Sequence, residues 1–225
     1  MKKLTTVLIV ILTISLTSNT LAQKFCAKAG LNLSNILMKD NDENYSEDFK
    51  INLGFHVGAT MQFPISGLFS FETGLLFSTK GFSSKTEVPF DGETINYKGV
   101  MNLYYIDVPL MAKVTFDGGN ISYFGELGPY FGLGLFGKTK TEFTYNGDTE
   151  TDKSDIEWGS DKDNDLLKRI DSGLTIGAGI IIINALQIGL SYDLGLANIS
   201  TITDGGSKIK NRVFRISIGY RFGNK

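Results

Sequence analysis

The chain has 225 residues, enough for one domain with a full core or for one closed barrel. A net charge of −2 excludes a nucleic-acid binder built on a basic surface, and 26 glycines, 12% aromatics and only 4 prolines favour a β protein over a helical bundle. The single cysteine, Cys26, excludes an intrachain disulfide.

The first element is not part of the fold. Met1-Lys2-Lys3 is cationic, Leu4 to Leu16 is apolar, and Thr20-Leu21-Ala22 places small residues before Gln23. That order predicts a secretory signal peptide over 1–22 and a mature domain over 23–225. The apolar core is shorter than the ~20 residues a spanning helix needs. Cys26 lies four residues beyond the cleavage point, too far for a lipoprotein anchor, and reads as a passive side chain in a strand.

After the leader, a period of two recurs eight times. The first strand, near 24–36, sets Phe25, Ala27, Ala29, Leu31 and Leu33 against Lys28, Gly30, Asn32 and Ser34. The second, near 51–63, sets Leu53, Phe55, Val57, Ala59 and Met61 against Gly54, His56, Gly58, Thr60 and Gln62. The third, near 68–80, sets Phe69, Phe71, Leu75 and Phe77 against Ser70, Glu72, Ser78 and Lys80, and the fourth, near 101–116, sets Tyr104, Ile106, Val108 and Leu110 against Asp107, Pro109, Met111 and Lys113. The fifth, near 121–137, alternates Tyr123, Leu127, Phe131 and Leu133 with Ser122, Glu126, Gly128 and Gly132. The last three, near 172–183, 186–197 and 212–222, repeat the pattern, with Asp193, Arg215 and Arg221 on the polar side.

The connections alternate in length. Pro64–Gly67, Asp117–Asn120 and Asn184-Ala185 are tight turns, whereas 37–50, 81–100, 138–171 and 198–211 are long and polar. Short and long in turn is the plan of an all-β, eight-stranded antiparallel up-and-down transmembrane β-barrel. Two observations place the apolar face outward, against lipid. The polar set is mostly Gly, Ser, Asn, Thr and Gln, which suits a narrow lumen, and the apolar set is almost free of charge. Phe25, Phe63, Phe69, Phe116, Tyr123, Tyr220 and Phe222 also fall at the short-turn level on the outward parity, as an interfacial girdle requires.

Lys28, Glu72, Lys113, Glu126, Asp193, Arg215 and Arg221 then point inward, and they read as a structural charge network, because buried charges must pair. His56, the only histidine, reads as a packed lumen residue rather than a general base; no His/Cys cluster suggests a metal, and no catalytic or cofactor-binding residue is assigned. Asp161, Asp163 and Asp165 have the spacing of a calcium loop but lack its glycine (Leu166) and its last acid (Ser172). Trp158 stands in the same segment, either as a contact point for a partner or as a cover for the barrel mouth.

Several stretches together resemble one family. KAGLNLSNI (Lys28–Ile36), YYIDVPLMAKV (Tyr104–Val114), DSGLTIGAGI (Asp171–Ile180) with GLSYDLGLANIS (Gly189–Ser200), and NRVFRISIGYRF (Asn211–Phe222) are similar to strands of the PorT-like outer-membrane β-barrel proteins of Gram-negative bacteria. The resemblance implies export to the outer membrane, no enzymatic activity and no cofactor. It also implies a structural, interaction or secretion-associated role with loops outside the cell. The partners implied are outer-membrane lipid and cell-envelope or secretion-apparatus proteins, with no nucleic acid. The rival readings are a barrel enzyme of the acyltransferase or protease kind and a lipocalin-like carrier of small hydrophobic ligands.

Overall fold

The structure, a computed structural model, describes residues 23–90, 93–146 and 148–222. The expected signal peptide lies outside the described residues. The elements in chain order are β1 (Lys24–Lys39), β2 (Phe49–Lys50), β3 (Asn52–Ser66), β4 (Phe69–Phe90), β5 (Glu93–Phe116), β6 (Ile121–Tyr145), β7 (Asp148–Asp155), β8 (Ile170–Ile182), β9 (Leu186–Gly195) and β10 (Lys208–Phe222). Eight of them close a ring in which β1 pairs with both β3 and β10, while β4, β5, β6, β8 and β9 complete the circle by antiparallel pairing with their neighbours. Closure leaves no sheet edge within the ring, the condition for a β protein to sit in hydrocarbon.

The alternation read from the sequence is the alternation of the wall. Phe25, Leu31, Phe55, Leu75, Leu127, Phe131, Ile176, Leu190, Ile218 and Tyr220 are exposed on the outside. Asn32, His56, Glu72, Asp107, Lys113, Asp193 and Arg215 are buried inside. A carrier of hydrophobic ligands would need the reverse. The aromatic residues at the short-turn end also stand together: Phe25 is paired with Phe222, Phe116 with Tyr123, and Phe63 with Phe71.

Two of the segments expected to be polar loops are strands instead. Residues 81–100 continue β4 and β5 as one long hairpin, paired from Phe69↔Val114 to Phe90↔Glu93. Much of 138–171 extends β6 and adds β7, paired from Tyr145↔Asp148 to Lys138↔Asp155. Their polarity misleads because these strands stand in water beyond the apolar band, so neither face need be greasy. A bulge in β6 lies at the crossing: Tyr104 pairs with Phe136 but Tyr105 with Gly134, leaving Leu135 extra. Leu135 and Phe136 consequently both point outward.

A lid closes the long-loop end. Ile156 and Leu167 from the β7–β8 connection and Ile199 from the β9–β10 connection pack on Leu103 and Tyr105 of β5, with Trp158, Met101 and Ile209 around them. Trp158 stands edge-on to Tyr105, with ring centroids 5.6 Å apart. This answers the question the sequence left open: the tryptophan covers the mouth. β6 makes room with glycines, since a Cβ on Gly134 would come within 2.5 Å of the Trp158 ring and one on Gly137 within 2.8 Å of Ile156.

Candidate functional site

The lumen holds two charge clusters, one above the other. Nearer the short turns, Glu72 of β4 receives both Lys28 of β1, in a short contact, and Lys113 of β5 at 2.7 Å. Lys113 also reaches Glu126 at 3.5 Å and Gln187 at 3.2 Å, and its ammonium lies 4.1 Å from the Phe124 ring centroid. Nearer the lid, Lys80 is 0% exposed and lies 2.9 Å from both Asp107 and Asp171. Arg215 bridges Asp107 at 2.7 Å and Asp193 at 2.5 Å. Tyr130 and Asn211 donate to Asp171, and Thr175 donates to Asp193. Lys80 also stands over the rings of Tyr105 and Tyr130, at 4.6 and 4.4 Å.

These pairs span the ring. The upper cluster ties β4, β5, β8, β9 and β10, and Tyr130 adds β6. Burying a charge without a partner is strongly unfavourable, so such cross-ring pairs hold strands that are not neighbours at a fixed separation. Of the seven residues chosen from parity, six fall in the two clusters. Arg221 stands apart at the short-turn end and donates to Gln62 at 2.8 Å. Three further charged residues join the clusters, Lys80, Asp107 and Asp171. Lys80 and Asp107 lie on the inward parity, which was signal enough to include them. Asp171 was hidden because it falls at the edge of a segment read as loop.

His56 lies beside the clusters in a chain of its own. Its Nδ1 is 2.7 Å from Asn32 Oδ1 and its Nε2 is 2.9 Å from Ser217 Oγ. The Asn32 amide nitrogen faces the Phe55 and Thr79 carbonyls and the Ser78 hydroxyl, so Oδ1 is left as acceptor. Nδ1 therefore carries the imidazole proton, and the Ser217 hydroxyl donates to Nε2. Serine, base and orienting amide are arranged as a nucleophile and its base would be. The space beside them decides what they can do. The cavity between the clusters, lined by Lys28, Glu126, Asp193, Arg215, His56 and Ser217 among others, measures about 50 Å³. At roughly 10–15 Å³ per water position, that holds a few waters and no substrate.

The acidic run in the loop above is occupied by its own hydrogen bonds. Asp161 accepts from Asn164 Nδ2 at 2.8 Å and from the Asp163 N–H at 3.0 Å, and these donors hold its carboxyl below the ordinary aspartate range. Asp165 in turn accepts from the Asp161 N–H at 2.8 Å. Among the described residues, no group of His, Cys, Asp and Glu side chains gathers as metal ligands.

Beyond the lid, β4, β5, β6 and β7 rise as a four-stranded sheet with two unlike faces. One continues the outer wall and carries Lys85, Glu87, Lys98, Lys140 and Glu142, joined in ion pairs. The other continues the lumen wall and carries Val88, Ile95, Tyr97, Met101 and Phe143, with Tyr97 and Phe143 rings 5.2 Å apart. β7 adds the acids Asp148, Glu150 and Asp152 to that same face, and no described strand residue on it is cationic.

A model of the outer membrane protein beta-barrel domain matches residues 21–201. No curated protein matches the sequence. Among solved structures, the chain is similar to Ail, the attachment invasion locus protein of Yersinia pestis, in complex with the heparin analogue sucrose octasulfate (17% identity, TM-score 0.38, covering 89% of this chain and 99% of that one). It is also similar to Neisserial surface protein A (12%, 0.40, 89% and 97%). A third is the outer membrane protein OprG from Pseudomonas aeruginosa (11%, 0.39, 90% and 97%). Identities this low concern the fold alone.

Proposed function

The chain belongs to the outer membrane protein beta-barrel domain family, and from that premise we propose that it is a non-enzymatic interaction protein of the outer membrane. Its role on this reading is to present a rigid binding sheet outside the bilayer, in the secretion-associated manner of the PorT-like proteins its strands resemble. The leader over 1–22 exports it, lipid surrounds the wall, and the partner is another cell-envelope protein.

The observation that carries this reading is the sheet formed by β4 to β7. Val88 and Tyr97 are 40% and 41% exposed on a face to which β7 adds three acids and on which no described strand residue is cationic. Aromatic and aliphatic side chains held open on a pre-ordered backbone are an inexpensive binding surface, since little freedom remains to be lost. The acids favour a partner segment that is cationic as well as apolar. The lumen supports the same reading, because paired charges occupy it and the cavity between the clusters, about 50 Å³, is too small for a substrate.

Crosslinking in intact outer membranes, followed by capture of the full chain, tests it. An envelope protein is expected with the native chain and is lost when Tyr97→Ser is combined with Phe143→Ser. Capture of the same protein by both chains would move the contact elsewhere. Turnover of an ester or peptide that disappears in His56→Ala would replace the reading with the enzyme its Ser217–His56–Asn32 chain permits.

A further inference from the structure

A cationic stripe on the outer wall is used by none of the foregoing. On β10, Lys208, Lys210 and Arg212 follow the outward parity of Phe214, Ile216, Ile218, Tyr220 and Phe222. On β1, Lys39 stands directly opposite Lys208, while Leu37 faces Lys210 and Asn35 faces Arg212. From these observations we infer that this stripe is a binding site for the phosphate groups of net-anionic lipids in the surrounding leaflet.

The level of the stripe is the first support. The ten steps from Phe222 to Arg212 cover roughly 33 Å of strand at ~3.3 Å per residue. With a tilt near ~40° that is about 25 Å along the membrane normal, close to the height of the apolar band of such a barrel. The cations begin where the hydrocarbon ends, at headgroup depth. The opposite end of the same two strands shows the contrast. There the outward residues are Phe25, Ala27, Tyr220 and Phe222, with no charge.

The second support is electrostatic. Like charges placed directly across a strand pair repel, so Lys39 against Lys208 is unfavourable without a counter-charge between them. Among the described residues, no ion pair supplies one. The exposed ion pairs among the described residues are Lys85–Glu87, Lys98–Glu142, Lys140–Glu142 and Lys162–Asp204, and none of the four cations takes part. On the outward face of β1, β9 and β10 at this level no described strand residue is an acid; Asp193, opposite Val213, points inward to Arg215. Asp40, next along the chain, is engaged. It accepts from the Glu43 and Asp42 N–H groups and from the Tyr45 hydroxyl, and these bonds keep its carboxyl below the ordinary range. Four cations in one outward stripe, with no acid paired to them among the described residues and an apolar wall below, match a phosphate carried on an acyl-chain anchor.

The test uses the full mature chain folded into vesicles of phosphatidylcholine, and into vesicles in which part of that lipid is phosphatidic acid. Spin-labelled lipids report which species lines the wall. The native barrel is expected to enrich phosphatidic acid over phosphatidylcholine, and each cation removed lowers the enrichment by roughly five-fold at most, the equivalent of about 1 kcal/mol per cation near a charged surface. Lys39→Gln, Lys208→Gln, Lys210→Gln and Arg212→Gln together should abolish it. Lys85→Gln with Lys153→Gln, on the protruding sheet, should leave it intact. Raising the ionic strength should weaken the native preference, a readout that needs no variant. Equal labelling by both lipids in the native barrel, or equal loss in the control variant, overturns the assignment. Abolition by dilute inorganic phosphate at constant ionic strength would also overturn it, in favour of a site for the free ion.

Discussion

The strands β4, β5 and β6 pass through two environments, and their side chains change sides between them. Within the barrel wall the outward positions are apolar, as with Phe77, Ile106 and Leu133, and the inward ones are charged, as with Glu72, Asp107 and Glu126. Beyond the rim the outward positions are charged, as with Lys85, Lys98 and Glu142, and the inward ones are apolar, as with Val88, Tyr97 and Phe143. The same strands stay paired at both levels, with the β6 bulge at Leu135 marking the crossing. What differs is the solvent on the outside, lipid below and water above, so one secondary structure carries two opposite hydrophobic patterns.

The largest break in this comparison comes from the lumen. Lys80→Met leaves Asp171 buried without its cation and Asp107 with Arg215 alone, and the expected loss of stability is about 3–5 kcal/mol in reversible urea unfolding from lipid vesicles. Adding Asp171→Asn should recover part of it; a variant as stable as the native chain would mean the upper cluster does not hold the ring. The wall comes next. Ile176→Arg puts a charge in the apolar band on β8, and a loss of about 2–4 kcal/mol is expected by the same measurement. Its counterpart above the rim, Asn96→Arg on the outward face of β5, should not move the unfolding midpoint. Equal effects would show that both levels meet the same solvent. The smallest effect is expected on the protruding sheet itself, where Lys98→Ala removes a solvated pair with Glu142 at 3.5 Å and should leave the midpoint unchanged.

Polarity inversion also explains what could be read in advance and what could not. The eight barrel strands, their facing and their aromatic ends were legible because alternation is a local property, recorded in a dozen consecutive residues. The protruding parts of β4 to β7 were not. KTEVPF and DTETDKSD look like loops when judged by the pattern of a lipid-facing strand, although paired backbone and water satisfy them equally well. Trp158 could not be placed for a different reason. Its cover over Tyr105 depends on a connection folding back across the ring, and nothing in the spacing of 156–167 specifies that.

By itself, then, the order of residues determined that this protein is made of two-faced strands, which face meets lipid, and which charges must enter the lumen. Only closure decided which of those charges meet. Lys80 and Asp171 stand 91 positions apart, and Arg215 and Asp107 stand 108 apart. Their meeting follows from the stagger with which the strands join into a ring, a property of the whole circle that no single strand contains.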